Sequence, residues 1–191
     1  MKIGLYFGSF NPIHIGHLAI ANYMVEFSNI DQLWFMVSPQ NPMKKQSTLL
    51  ADHHRYEMVY RAIEDYPKFR ASSFEFSLPK PSYTINTLTH LKEKYPDHAF
   101  VLIMGTDSLE TLPKWKNFEQ ILAQFELLVY PRPNNPRGQL VSHPKVTVVQ
   151  APIMEISASF IRESIKDARN IKAFLPLPVW NYIDEMNFYR K

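Results

Sequence analysis

A chain of 191 residues, 46% hydrophobic and 20% charged, is long enough to bury one α/β core, and no apolar run approaches the ~20 residues that a membrane span requires. A formal charge of +3, with Lys and Arg dispersed along the chain, favours small anionic ligands, and with no recognised nucleic-acid motif a nucleic-acid partner is not expected. The absence of cysteine excludes disulfides and thiolate metal sites and fits a reducing cytoplasm.

The chain enters an apolar run, Ile3–Phe7, at once, without the basic, apolar and small-residue regions of an export signal. That run reads as a buried strand. It feeds Gly8-Ser9-Phe10-Asn11-Pro12-Ile13-His14-Ile15-Gly16-His17, a small-residue turn and then a helix start, whose unpaired N–H groups and dipole attract an anion. With a helix beginning near Ile13, His14 and His17 share one face and can reach one phosphate chain. A zinc pair is disfavoured because Glu or Cys partners are missing. Helical spacing then covers Ile15–Phe27, and a second strand is predicted at Leu33–Val37.

After the proline joint Pro39–Pro42 comes a helix over Arg55–Tyr66, preceded by His53 and His54, which are expected in solvent. A helix over Ile85–Tyr95 is expected to be capped by Ser82 and to stop before Pro96. Strands follow at Phe100–Met104, Leu127–Tyr130 and Val146–Val149, with a third proline joint at Pro131–Pro136. Ser157 is placed to cap a helix through Phe160, Ile161 and Ile165, with Arg162 one turn on. An amphipathic stretch, Val179–Met186, closes the chain as a packing helix.

This alternation predicts a Rossmann-like, doubly wound parallel sheet in a single domain spanning residues 1–191. Ligands of such folds bind beyond the carboxyl ends of the strands, where Gly8–His17 and Gly105–Ser108 both fall, so the two loops are expected to converge. Neither a Walker-A run nor Gly-x-Gly-x-x-Gly is present to supply another phosphate loop.

The first motif resembles the His-x-Gly-His signature of the nucleotidyltransferase superfamily, with Asn11 where Asp is usual. His-Ile-Gly-His alone is shared with class I aminoacyl-tRNA synthetases. However, Ile156-Ser157-Ala158-Ser159-Phe160-Ile161-Arg162 resembles the superfamily's Ile-Ser-x-Ser/Thr-x-x-Arg element, and no Lys-Met-Ser-Lys-Ser-like run is present. Three further segments are similar to the bacterial nicotinate-mononucleotide adenylyltransferase family: Pro81-Ser82-Tyr83-Thr84, Gly105-Thr106-Asp107-Ser108 and Leu112-Pro113-Lys114-Trp115. Asn41-Pro42-Met43-Lys44-Lys45 stands in place of that family's Pro-His-Lys loop.

The resemblance implies adenylyl transfer from ATP to nicotinate mononucleotide, with Mg²⁺ carried by the ATP. It assigns ATP to Gly8, Ser9, Phe10, His14, His17, Gly105, Asp107, Ile156, Ser157 and Arg162, and the mononucleotide to Lys44, Tyr83, Thr84 and Trp115. The catalytic set it implies is His14, His17, Lys44 and Arg162, with Lys45 an alternative to Lys44. Two rival readings stay open. Phosphopantetheine adenylyltransferase shares the chemistry, although its first motif usually carries Thr-x-x-Gly-His without the first histidine. A non-catalytic nucleotide sensor would keep the site and lose the reaction. The sequence leaves open the choice between acid and amide mononucleotide, and leaves room for a homo-oligomer.

Overall fold

The computed structural model describes residues 1–39, 49–133 and 139–190. Its centre is a six-stranded sheet, with β1 Lys2–Gly8, β2 Gln32–Val37, β3 Phe69–Ser72, β4 Ala99–Gly105, β5 Glu126–Tyr130 and β6 Val146–Val148, in the order β3-β2-β1-β4-β5-β6. Every pair is parallel. The central strands read as continuous apolar runs because both of their faces are covered. Tyr6, Phe35, Val101 and Ile103 enter one core and Leu5, Trp34, Met36 and Leu102 the other.

On the first face lie α1 (Ile15–Phe27), α2 (Asp52–Ile63), α6 (Ala158–Lys166) and α7 (Leu177–Glu185); on the second lie α3 (Thr84–Lys94), α4 (Thr106–Thr111) and α5 (Phe118–Gln124). The expected doubly wound architecture is therefore present. Among the described residues no helix is long and apolar enough to cross a membrane. Chain order reverses between β1 and β4, so the loops leaving these two strands flank one crevice.

Three elements were not expected from sequence. Edge strand β3 has four residues, one of them Arg70, which is too little for a periodic signal. Helices α4 and α5 have six and seven residues, below two full turns. The expected cap of α3 is corrected: Tyr83, not Ser82, is the N-cap residue, in extended conformation, and its own side chain makes no capping bond. A second correction concerns His54, which shares a 2.8 Å hydrogen bond with the Tyr182 hydroxyl and packs on Phe188, because α7 and the residues after it lie against α2. His53 is exposed, as expected.

Candidate active site

The turn after β1 is built by packing, and this explains its glycines. A Cβ on Gly8 would stand 2.8 Å from the Phe10 ring, which folds back beneath the turn and meets Tyr6, His17 and Phe35 edge-on. Phe10 is 2% exposed and takes a left-handed φ of 45°, an uncommon conformation that needs surrounding contacts to hold it. It lines the cavity beyond the turn while anchoring in the core. Gly16 makes room for the other histidine, since a Cβ there would lie 3.0 Å from His14 Nδ1.

His14 and His17 stack at 3.7 Å. The His14 backbone N–H donates to His17 Nδ1 at 3.2 Å, so the remaining donor of His17 is Nε2–H. Burial, reinforced by nearby Arg132, holds the His14 imidazole down at about 4, so it is neutral at neutral pH. Its Nδ1 is buried without a hydrogen-bond partner among the described residues. A buried, unpaired ring nitrogen beside a helix start is a group that an incoming phosphate or its proton can satisfy.

The late motif meets this turn directly. Ser157 accepts from the Phe160 N–H and caps α6, as its spacing predicts. One turn on, Arg162 donates from Nη1 to the Asn11 carbonyl at 2.8 Å and from Nη2 to Ser159 Oγ at 3.2 Å. A hydrogen bond thus joins residues that lie 151 positions apart in sequence. Asn11, for its part, is held by its side chain: Oδ1 accepts from the Tyr189 hydroxyl at 2.7 Å and from the Leu50 N–H at 3.3 Å. Both are acceptor roles that a carboxamide fills, which accounts for how the turn stands without the usual Asp. Removing the Tyr189 hydroxyl as Tyr189→Phe is expected to cost about 1 kcal/mol of stability and to lower kcat several-fold, with Asn11 freed to shift. Thermal melts and initial rates check this, and unchanged values of both would show that the tail does not support the turn.

One cavity of about 950 Å³ collects these groups. Ser9, Phe10, His14, His17, Asp107, Ile156, Ser157 and Arg162 line it, together with Tyr83, Thr84 and Trp115. Gly8 lines it as well. Of the candidate residues, Gly105 is among the described residues but not in its wall. A Cβ there would strike Asp107 Oδ1 at 2.4 Å and the Arg132 side chain at 3.0 Å. The side chains of its own neighbours therefore crowd this position. Lys44 and Lys45 lie outside the described residues.

Arg132 and Glu75 in the cavity wall, and Arg55 behind the turn, gave no sequence expectation. Arg132, just beyond β5, lines the cavity and lies over the Tyr130 ring; its buried Nε stands 3.9 Å from Asp107 Oδ1 and has no hydrogen-bond partner among the described residues. Its signal was a cation at the carboxyl end of a parallel strand. Glu75 is a 2%-exposed carboxyl in the cavity wall that accepts from Thr87 Oγ1 at 2.6 Å, and burial pushes its pKa up. Nothing in its local pattern marked it. Arg55, which is entirely buried, donates to backbone carbonyls of the turn and of the segments beside it.

Comparison with known proteins agrees with this geometry. A cytidylyltransferase-like family model matches residues 5–164. A probable nicotinate-nucleotide adenylyltransferase of Flavobacterium johnsoniae is 59% identical, with complete coverage of both chains. Its counterpart in Bacteroides fragilis is 48% identical over 95% of this chain and 90% of its own. Among solved structures, Plasmodium falciparum nicotinic acid mononucleotide adenylyltransferase complexed with NaAD superposes with a TM-score of 0.82 over 98% of this chain and 97% of that one. At 22% identity that likeness speaks for the fold alone. Motif, architecture and full-length identity converge, and the chain belongs to the cytidylyltransferase-like family, in its nicotinate-nucleotide adenylyltransferase branch.

Proposed function

We propose that the chain transfers the adenylyl group of ATP to nicotinate mononucleotide, giving nicotinate adenine dinucleotide and pyrophosphate. The observation that carries this reading is the shared cavity, in which the His14–His17–Arg162 group and the Tyr83–Thr84–Trp115 group line one space of about 950 Å³. That is the upper end of the range for a single small ligand and suits two nucleotides meeting end to end.

In the proposed reaction a phosphate oxygen of the mononucleotide attacks the α-phosphorus of ATP. A new P–O bond forms as the bond to the bridging oxygen breaks, and its electron pair leaves with pyrophosphate. The nucleophile is already an anion, so no general base is needed, and the protein's work is alignment and charge dispersal. His17 would donate from Nε2–H to the triphosphate, with His14 beside it. Arg162 and the Ser157 helix start would hold the outer phosphates, and Lys44 would meet the approaching phosphate. Arg132 adds a partly buried cation with an unsatisfied N–H. On the opposite side Trp115, half-buried, would stack on the pyridine ring while Tyr83 and Thr84 present the start of α3 to its carboxylate.

Nucleotidyltransferases of this kind generally use Mg²⁺ with ATP. Among the described residues no three His, Asp or Glu side chains converge to hold a metal ion, and the donors around the phosphate end are mostly cations and N–H groups. This donor set fits Mg²⁺ arriving as part of the nucleotide, with phosphate oxygens as its ligands. Both substrates are metabolites of the cytoplasm, where we place the protein.

The test is pyrophosphate release from ATP and Mg²⁺ with nicotinate mononucleotide, its amide analogue or phosphopantetheine offered in turn. Release with a pyridine mononucleotide is expected. Release only with phosphopantetheine would transfer the chain to that acceptor, and release with none would make it a nucleotide sensor.

A further inference from the structure

We propose that Lys116 sets the preference for the acid over the amide mononucleotide, through the positive charge it holds over the Tyr83 ring. This deepens the adenylyltransferase reading and rests on it. Acid and amide share one ring and differ by one unit of charge, so discrimination falls to the start of α3 and to whichever side-chain charges face the pyridine subsite.

Those charges can be named. Glu75 is buried in the wall of the same cavity, and its Oε2 has no hydrogen-bond partner among the described residues. Where it is ionised, a carboxyl group in that wall repels a second carboxylate and so favours the neutral amide. Two lysines counter it. Lys114 and Lys116 flank Trp115 in the cavity lining, but of these two only Lys116 has a fixed aromatic partner among the described residues, its Nζ standing 4.6 Å from the Tyr83 ring centroid.

Local backbone holds Lys116 in this position. Trp115 leaves the short 3₁₀ turn Leu112–Lys114 in extended conformation, and Asn117 then takes a left-handed φ of 51° before α5 begins. The Asn117 carbonyl accepts from the N–H groups of Gln120 and Ile121, which fixes the bend. Residues 115–117 therefore form a braced corner from which Lys116 reaches the start of α3. An ammonium held over an aromatic ring keeps a defined place without losing its donors to a carboxylate partner. It remains available to a ligand anion.

Lys116→Met and Lys116→Arg test the assignment, each assayed with the acid as substrate and with the amide as substrate or competitive inhibitor. Lys116→Met is expected to lower kcat/KM for the acid about tenfold, nearly all of it in KM. Affinity for the amide should stay within about twofold, and Lys116→Arg should keep the acid preference. Added salt should weaken the acid preference of the native protein and leave that of Lys116→Met unchanged. Equal losses for acid and amide would make Lys116 a packing residue on Tyr83 and overturn the proposal, as would no change for either. A native protein inert towards both mononucleotides would instead overturn the underlying reading, and the role of Lys116 with it.

Discussion

Replacing His17 with alanine is expected to lower the rate of pyrophosphate release by about 10²–10³, equivalent to roughly 3–4 kcal/mol of transition-state stabilisation. The size follows from what the ring does in place. Its Nδ1 is committed to the His14 N–H, which leaves Nε2–H as its donor. Its faces and edges are packed by His14 at 3.7 Å and Phe10 at 5.1 Å, so the ring has little freedom to lose when a phosphate arrives. Alanine would remove the donor that the proposed mechanism places at the point where charge develops. Because His17 is only half-buried and carries no core contact comparable to Phe10, the melting temperature should fall by no more than a few degrees. His17→Gln, which restores an N–H donor on a looser chain, should recover part of the rate. An alanine variant turning over at near-native speed would remove His17 from the mechanism.

The place of His17 in the cavity was legible in sequence because its signal is local: a histidine three residues from another, after a strand and a small-residue turn. Ser157 and Arg162 were legible for the same reason, through one cap and one helical turn. Other residues depend on long-range geometry. Arg132 follows a strand and meets Tyr130 and Asp107 only once β4 and β5 are side by side. Tyr189 reaches Asn11 across 178 residues, from a stretch whose left-handed residues Asn187 and Tyr189 no sequence pattern announces. For Gly105 the sequence could not show that its own neighbours, Asp107 and Arg132, also crowd the position. The sheet was readable from apolar periodicity, except where strand β3 and helices α4 and α5 were shorter than the period needs.

Arg55→Met should produce the largest loss of stability, about 3–5 kcal/mol, or roughly 10 °C in melting temperature for a domain of this size. The side chain is 0% exposed and engages each of its three nitrogens. Nε donates to the Leu50 carbonyl at 2.9 Å, Nη1 to the carbonyls of Ser9 at 2.7 Å and Ser38 at 2.8 Å, and Nη2 to the Pro39 carbonyl at 3.3 Å and to Asp52 Oδ1 at 2.6 Å. One guanidinium thus ties the phosphate turn after β1 to the end of β2 and the start of α2. Sequence carried a trace of this, since Arg55 sits on the apolar stripe that continues through Met58, Val59 and Ala62, a place where a solvated charge does not belong. Methionine fills the volume but leaves several buried carbonyls unpaired and Asp52 without its closest cation. An Arg55→Lys variant would keep a charge without the planar fork, so it should rescue little. Activity should fall with stability but not merely in proportion to it. Rates taken well below the new melting temperature should still be reduced, because the Ser9 carbonyl and the turn that carries it are no longer pinned. Full activity of the folded fraction would separate Arg55 from the site and confine its role to the fold.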